Sequence, residues 1–147
     1  MTGMRLAEIT NLKWTQIDFG KMQIEIIQRD DFHTKTGKSR NVPMHTTVLE
    51  ILKRRSLKQN IYVFGKSNGY KYTESFVSHY FRTYRMKVGL PKEFHFHSLR
   101  HTCASLLVNS GVSIYTVKEI LGHASVLTTQ IYSHMAPNVL LESINKI

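Results

Sequence analysis

Apolar and polar residues alternate from Lys21 to Ile27, the clearest pattern in the first third of the chain. A period of two is typical of a strand with one buried face. Arg40 to Met44 is also expected to be extended, because Pro43 disfavours a helix just before it. The polar segment between these stretches contains Gly37, a turn residue, and several basic side chains. We therefore predict a β-hairpin with a basic turn.

Most of the remaining chain is predicted to be helical from its capping and terminating residues. Thr47 with Glu50 three residues later matches a capping box. Thr73 and Ser113 are further N-cap candidates, and Gly122 is a helix terminator. The predicted helices are Met1–Leu12, Thr47–Arg55, Thr73–Val88, Ser98–Asn109, Ser113–Leu121, Ser125–Tyr132 and a last one from Pro137, with a short strand at Tyr62–Phe64. The fold class predicted is α+β, mostly helical with a small antiparallel sheet.

The length of 147 residues is usual for one domain, and 41% hydrophobic with 20% charged residues is ordinary for a globular protein. No stretch approaches the roughly 18 consecutive apolar residues of a membrane span. The N-terminus lacks the basic and apolar segments of a secretion signal. Cys103 is the single cysteine and has no internal disulfide partner, which fits a reducing cytoplasm.

Charge gives the first indication of a partner. Twenty Lys and Arg residues against ten Asp and Glu give a formal net charge of +10. A basic domain favours a polyanion, because neutralised phosphates release their condensed counterions. Charge alone favours DNA or RNA as the partner, and a basic protein without a nucleic-acid role is the alternative.

Three histidines, His95, His97 and His101, lie within seven residues and raise a zinc hypothesis. On a helix, His97 and His101 would share one face. A catalytic zinc needs three protein ligands, however, and Arg100 would repel the cation. The same segment favours another interpretation, in which His97 and Arg100 project together toward a phosphodiester. Arginine offers a planar fork of donors to phosphate oxygens, and histidine moves protons near neutral pH.

Five short motifs follow one another in a fixed order, with His123 nine residues before Tyr132. They are Thr2-Gly3-Met4-Arg5-Leu6-Ala7-Glu8-Ile9, Thr34-Lys35-Thr36-Gly37-Lys38-Ser39-Arg40-Asn41-Val42-Pro43-Met44, His97-Ser98-Leu99-Arg100-His101-Thr102, Leu121-Gly122-His123-Ala124-Ser125 and Thr129-Gln130-Ile131-Tyr132. Each is unremarkable alone. Together they resemble the tyrosine recombinase (phage integrase) family over nearly the whole chain.

The resemblance implies a site-specific DNA recombinase or integrase that cleaves and rejoins strands through a 3′-phosphotyrosine, without metal, ATP or cofactor. Tyr132 is similar to the family's nucleophile, and Arg5 and Arg100 to its two phosphate-binding arginines. Because one phosphate-binding donor is worth about 3–4 kcal/mol in other enzymes, two arginines and a histidine are a plausible substitute for a metal ion.

The resemblance also implies roles in proton transfer and support. His97 resembles the histidine that assists proton transfer from tyrosine, and His123 the residue that hydrogen-bonds the scissile phosphate. Lys35 resembles the hairpin lysine that protonates the departing 5′-oxygen, although Lys38 or Arg40 is an alternative from sequence alone. Glu8 is similar to an acidic residue that supports the catalytic groups.

The chain departs from the family pattern at its beginning. Family members usually carry a core-binding domain and further helix before the first arginine, whereas Arg5 is almost at the terminus. The expectation is therefore a catalytic domain, residues 1–147, truncated at its N-terminus and weakly active alone. The resemblance implies double-stranded DNA as partner, a homo-tetramer on DNA, and a cytoplasmic, nucleoid-associated protein of a mobile element. A helix at 138–147 is expected to dock on another protomer or to fold back on its own, and the resemblance favours docking between protomers.

Two other functions are weighed against this one. A non-catalytic DNA-binding remnant is expected to lose catalytic side chains, yet the expected positions are filled. A metal-dependent nuclease needs clustered carboxylates, and the adjacent acids Asp30 and Asp31 would point to opposite faces of a strand.

Overall fold

A small antiparallel sheet lies in the first part of the chain. The computed structural model describes residues 1–57 and 60–136. Its strands are β1 (Ile17–Asp18), β2 (Gln23–Ile26) and β3 (Arg40–Pro43), in the order β1-β2-β3. Both pairings are antiparallel, and Ile24 lies opposite Val42. The predicted hairpin is confirmed, and its connection carries the basic turn.

Six α-helices accompany the sheet in the described part of the chain. They are α1 (Leu6–Thr10), α2 (Thr46–Ser56), α3 (Glu74–Lys87), α4 (Ser98–Asn109), α5 (Ile114–Leu121) and α6 (Leu127–Gln130). Short 3-10 helices occupy Trp14–Gln16 and Ser133–Met135. The α+β class is therefore confirmed. None of the helices within these described residues is long and apolar enough to cross a membrane.

Two hydrophobic clusters organise the molecule. The first forms where the alternating face of β2 and β3 packs against α2 and the segment around α1. Its buried members are Met4, Leu12, Ile24, Ile26, Val42, Met44, Leu52 and Val63. The second forms between α4, α5 and the segment after α6, from Ala104, Val108, Val117, Leu121 and Tyr132. Contacts of α5 with β3 join the two clusters.

Several helix boundaries follow from capping as predicted. Thr73 accepts a hydrogen bond from the Phe76 amide at the start of α3, and Ser113 accepts one from the Thr116 amide at the start of α5. The bounds of α4 match the prediction, and α5 ends before Gly122, which has a φ of 69°. These elements form as predicted because their termination signals are local.

Other boundaries were wrong. The predicted helix Met1–Leu12 shortens to Leu6–Thr10, because Gly3 has a φ of 59° and lies against Leu121. The α2 helix begins at Thr46, capped by the His45 side chain rather than by Thr47.

The shorter elements also differ from the prediction, because tertiary contacts determine their extent. The predicted strand Tyr62–Phe64 contributes a single bridge, between Lys13 and Tyr62. The short helix predicted from Ser125 to Tyr132 is confined to α6. The helix predicted from Pro137 lies outside the described residues.

Candidate active site

The C-terminal end of α5 is the base on which the site is built. The amides of Gly122 and His123 turn back to the carbonyls of Lys118 and Glu119, in the left-handed geometry that Gly122 permits. The next three carbonyls, of residues 120, 121 and 122, project past the end of the helix. They carry the negative end of the helix dipole, which favours cations.

Arg100 reaches this end from α4 and is almost fully buried, with 4% of its surface exposed. Its Nη1 donates to the Gly3 carbonyl at 2.6 Å and its Nη2 to the Leu121 carbonyl at 2.7 Å. Burial, together with the charge of Arg5, lowers the pKa of Arg100 to about 10. The guanidinium therefore stays protonated at neutral pH and is fixed from two sides.

Arg5 approaches the same end from the start of α1. Its Nη2 donates to the Gly122 carbonyl at 3.0 Å, and its Nη1 lies 3.2 Å from Glu8 Oε1. The Arg5 amide also donates to Glu8 Oε2 at 2.8 Å. Because Arg5 and Arg100 bind adjacent carbonyls, their guanidinium groups lie side by side.

A third guanidinium, that of Arg40 at the start of β3, completes the set. It forms two hydrogen bonds of 2.8 Å with the Glu8 carboxylate, and its Nε donates to the Ile120 carbonyl at 3.1 Å. Burial alone would raise the pKa of Glu8, but the bonds and charges of Arg40 and Arg5 outweigh it and lower that pKa. The Glu8 carboxylate therefore ties β3 and α1 to the end of α5.

Sequence reasoning left Arg40 only as an alternative to Lys35. Its place in the Ser39-Arg40-Asn41-Val42-Pro43 stretch, immediately after the turn, was the available signal. The structure places Arg40 behind the site, with its side chain 10% exposed, whereas Lys35 is exposed in the turn. The two residues therefore occupy different places.

Lys35 lies at the tip of the hairpin. The turn is closed by the Gly37 amide donating to the Thr34 carbonyl at 3.1 Å. Buried Thr34 stabilises the turn, since its hydroxyl donates to the Lys38 carbonyl at 3.0 Å. Lys35 is exposed in this turn, and its charge is the last of the causes, after burial and the charges of His101, Arg100 and Arg5, that lower the pKa of His97.

His97 and His123 present imidazoles near the two arginines. His97 is largely exposed at the start of α4, and partial burial and the charge of His101, then of Arg100, lower its pKa. His123 is half-buried, its Nδ1 2.8 Å from the Thr129 hydroxyl. Burial and the nearby arginines lower the pKa of His123 to about 4. Both imidazoles are therefore neutral at pH 7 and each retains one N–H donor.

Tyr132 follows α6 and belongs to the second hydrophobic cluster, with 6% of its surface exposed. Its hydroxyl is hydrogen-bonded to Nδ1 of His101. Burial raises the pKa of Tyr132, and the charge of Arg100 lowers it by less. The buried phenol is therefore protonated at neutral pH and within the electrostatic reach of Arg100.

The structure thus brings together most of the residues singled out from sequence. Arg5, Arg100 and Glu8 meet at the end of α5, with His123 directly after it. His97 and Tyr132 join this group through His101, a residue that sequence reasoning treated only as a metal-ligand candidate. Among residues 1–57 and 60–136, no three His, Cys, Asp or Glu side chains gather in a group that could hold a metal ion.

Comparison with known proteins identifies the same family that the sequence motifs resemble. A family model described as "Phage integrase family" matches residues 1–138. A tyrosine recombinase of Thermosipho africanus is 32% identical over 146 residues, covering 99% of this chain and 50% of the relative. Tyrosine recombinase XerC of Pediococcus pentosaceus is 34% identical over 159 residues, with the same coverages. The chain spans about half the length of the curated relatives it matches.

Solved structures agree with the sequence matches. The crystal structure of XerA recombinase has a TM-score of 0.75 and 30% identity, covering 99% of this chain and 53% of that one. The catalytic domain of bacteriophage HP1 integrase has a TM-score of 0.67 and 31% identity, covering 99% and 75%. From the family model, these relatives and the shared fold, this chain belongs to the phage integrase family of tyrosine recombinases.

Proposed function

We propose that this chain is the catalytic domain of a site-specific DNA recombinase, which breaks and rejoins strands by transesterification through Tyr132. The observation that carries the proposal is the meeting of two fixed arginines and a buried tyrosine around the end of α5. The family supports it, and XerH recombinase, 28% identical with a TM-score of 0.75, was solved bound to difH substrate.

Arg5 and Arg100 bind the scissile phosphate in this proposal. The two carbonyl hydrogen bonds of Arg100 use only two of the five N–H donors of a guanidinium. The remaining donors are held rigidly where negative charge develops on the non-bridging oxygens. Removing one such donor costs about 3–4 kcal/mol of transition-state stabilisation in other enzymes. His123, neutral and bonded to Thr129, supplies a further donor to the same oxygens.

The Tyr132 hydroxyl oxygen attacks phosphorus, the bond to the 5′-oxygen breaks, and Lys35 supplies the proton that the 5′-oxygen takes up. His97 assists proton transfer, and Glu8 holds Arg5 and Arg40 in place. The phosphotyrosine is an ester that keeps the free energy of the broken bond, so a 5′-hydroxyl reverses the step without ATP. Two arginines do here what magnesium does in many nucleases, so we propose a metal-independent reaction.

A nicked substrate tests the proposal, because a short cleaved strand diffuses away and traps even slow cleavage as a covalent adduct. We expect this chain to form an SDS-resistant adduct in the presence of EDTA. Tyr132→Phe keeps the packing of the ring and removes the attacking oxygen, so it should abolish the adduct. Tyr115→Phe, at a tyrosine that is 67% exposed on α5, should leave it unchanged.

Two other functions correspond to distinct results of this experiment. Binding of DNA without any adduct would indicate a non-catalytic DNA-binding protein. Cleavage that requires a divalent cation and survives Tyr132→Phe would indicate a nuclease. Either result would overturn the proposed function.

The biological setting proposed here follows from the family. Four copies act together on double-stranded DNA, in the cytoplasm at the nucleoid, as part of a mobile element. The helix expected at 138–147, residues that lie outside the described part of the chain, is proposed to dock between protomers. Deleting residues 138–147 should weaken assembly on DNA in analytical ultracentrifugation, and unchanged assembly would refute the docking.

A further inference from the structure

The partner of the Tyr132 hydroxyl is a side chain to which neither the proposed function nor the family comparison gives a role. His101 lies on α4, directly after Arg100 and one turn after His97. Its Nδ1 is hydrogen-bonded to the Tyr132 hydroxyl, and the two ring centroids are 6.0 Å apart at an interplanar angle of 47°. The contact joins α4 to the segment after α6 across 31 residues of sequence.

Tyr132 needs a partner that removes its proton. A phenol has a reference pKa of about 10, and burial raises that of Tyr132 further while Arg100 offsets only part of the rise. An attacking phenol that kept its proton would place a positive charge on the bridging oxygen. A base within hydrogen-bonding reach of the hydroxyl removes this barrier.

The other two histidines of the site, His97 and His123, contact different groups. Nδ1 of His123 is bonded to the Thr129 hydroxyl. The His97 ring packs edge-on against the His101 ring, with centroids 5.0 Å apart and an interplanar angle of 82°. His97 therefore reaches the tyrosine through His101, and of the three imidazoles His101 is the one bonded to the nucleophile.

We propose that His101 is a catalytic residue whose Nδ1 takes the Tyr132 proton as the hydroxyl oxygen attacks the scissile phosphate. This inference rests on the proposed function. To act as the base, the imidazole carries its proton on Nε2 and directs the Nδ1 lone pair toward the hydroxyl. As the oxygen–phosphorus bond forms, the proton moves to Nδ1 and gives an imidazolium, while the departing 5′-oxygen takes a proton from Lys35.

Rejoining runs the same transfers in reverse. The 5′-hydroxyl attacks the phosphotyrosine and returns its proton to Lys35. The Tyr132 oxygen leaves and recovers its proton from the His101 imidazolium.

Two substitutions separate proton transfer from positioning. His101→Phe keeps a ring of similar size without a base, and His101→Gln keeps a hydrogen-bond partner for the hydroxyl but is not a proton acceptor at neutral pH. The readout is the single-turnover rate of adduct formation on the nicked substrate. Both variants should be slower by about 10²–10⁴-fold, the contribution typical of a general base. His134→Phe, at an exposed histidine two residues after Tyr132, is the matched control and should keep the wild-type rate.

A tyrosine of lower pKa at position 132 distinguishes a general base from a residue that only supports the fold. Incorporating 3,5-difluorotyrosine at position 132 lowers the pKa of the phenol and reduces its need for a base. This replacement should restore the His101→Phe rate by at least tenfold. A 5′-bridging phosphorothiolate, which relieves only the leaving group, should not restore it. Rescue by the fluorinated tyrosine is not expected of a residue that merely stabilises the fold, a role that circular dichroism and thermal unfolding measure separately.

The possible failures are distinguishable. If wild-type protein forms no adduct that depends on Tyr132, the proposed function itself fails. If that adduct forms and His101→Phe matches the wild-type rate within twofold, His101 is not the base. Wild-type activity in His101→Gln, or no gain from the fluorinated tyrosine in His101→Phe, would likewise overturn the proposal.

Discussion

At the scale of single residues, the fixed charges of the site are distinct from the exposed side chains that we propose to transfer protons. Arg100 is buried and bound to two carbonyls, and Arg5 is held by Glu8 and the Gly122 carbonyl. Lys35 and His101, to which we assign proton transfer, are exposed. We expect the fixed arginines to hold a phosphodiester in place while the accessible side chains transfer protons.

Lys35 and Lys38 are expected to differ in one measurable way. An alkoxide leaving group needs a proton in the transition state, whereas a thiolate leaves readily because the pKa of a thiol is about 8.5. Lys35→Ala should therefore cleave ordinary DNA about 10²–10⁴-fold more slowly than wild type and cleave a 5′-bridging phosphorothiolate at nearly the wild-type rate. Lys38→Ala, three residues along the same hairpin, should show no selective rescue.

Single-turnover adduct formation on the two substrates measures this difference. Failure of the sulfur substrate to rescue Lys35→Ala would assign the lysine to binding or hairpin structure and would place the general acid elsewhere.

The sequence indicates residues that lie in short motifs, but it does not indicate contacts between residues that are far apart in the chain. His97 and Arg100 share a helical turn, so their proximity is a local property. The contact of His101 with Tyr132 spans 31 residues, and that of Arg40 with Glu8 spans 32. No local pattern encodes such pairs. In the sequence, His101 stands out only as one of three clustered histidines, a pattern that raises a zinc hypothesis.

At the scale of elements, the end of α5 determines where the charged residues meet. Three successive carbonyls each accept a hydrogen bond from a different arginine, and these arginines come from α1, β3 and α4. The helix stop at Gly122 was predictable from its sequence, since a glycine ends the apolar pattern. Its use as a platform was not, because the arginines lie 21, 80 and 117 residues away in sequence.

Gly122→Ala is expected to damage this platform. A left-handed conformation costs a non-glycine residue about 1–2 kcal/mol, and the added Cβ would lie 2.8 Å from the Arg40 side chain. Gly89→Ala is the matched control, because Gly89 has a φ of 70° but open space around its Cβ position. Both variants should lose stability from backbone strain, and Gly122→Ala should lose more.

Thermal unfolding measures the difference in stability between the two variants. For a domain of this size, each kcal/mol corresponds to about 2–4 °C of Tm. Only Gly122→Ala should also slow adduct formation. Equal Tm values and equal adduct rates for the two variants would show that Arg40 gives way without consequence for the site.

At the scale of the whole molecule, the chain joins two small cores by a network of charges. The sheet and α2 surround the first core, α4 and α5 the second, and Glu8 with the three arginines lies between them. The ionised Glu8 carboxylate holds Arg5 and Arg40, and protonation of the half-buried His123 would add a positive charge near Arg100 and Arg5. A net charge of +10 adds general repulsion that DNA phosphates would relieve.

Acid is therefore expected to destabilise the fold through His123. In unfolded chain a histidine has a pKa of about 6.5, whereas burial and the arginines lower that of His123 to about 4 in the folded protein. Between these values the unfolded state binds more protons, so the free energy of unfolding falls as the pH falls through that window. Glu8 adds a separate loss at lower pH, when its carboxylate is protonated.

His123→Gln keeps a hydrogen-bond partner for Thr129 and removes the titrating group. Urea unfolding at several pH values between about 6.5 and 4 should give a shallower pH slope for this variant than for wild type. The lowered pKa of His97 leaves part of the slope in place. Identical slopes for the two proteins would contradict the burial of a neutral His123.

The proposed covalent link between Tyr132 and DNA is tested most directly by mass spectrometry of the adduct expected with a nicked duplex in EDTA. After protease and nuclease digestion, the peptide containing Tyr132 should carry the 3′-phosphate of the cleaved strand, and the other strand end should be a free 5′-hydroxyl. A phosphate on any other residue, a link to a 5′-phosphate, or cleaved ends without a protein adduct would contradict the assignment of Tyr132 as the nucleophile.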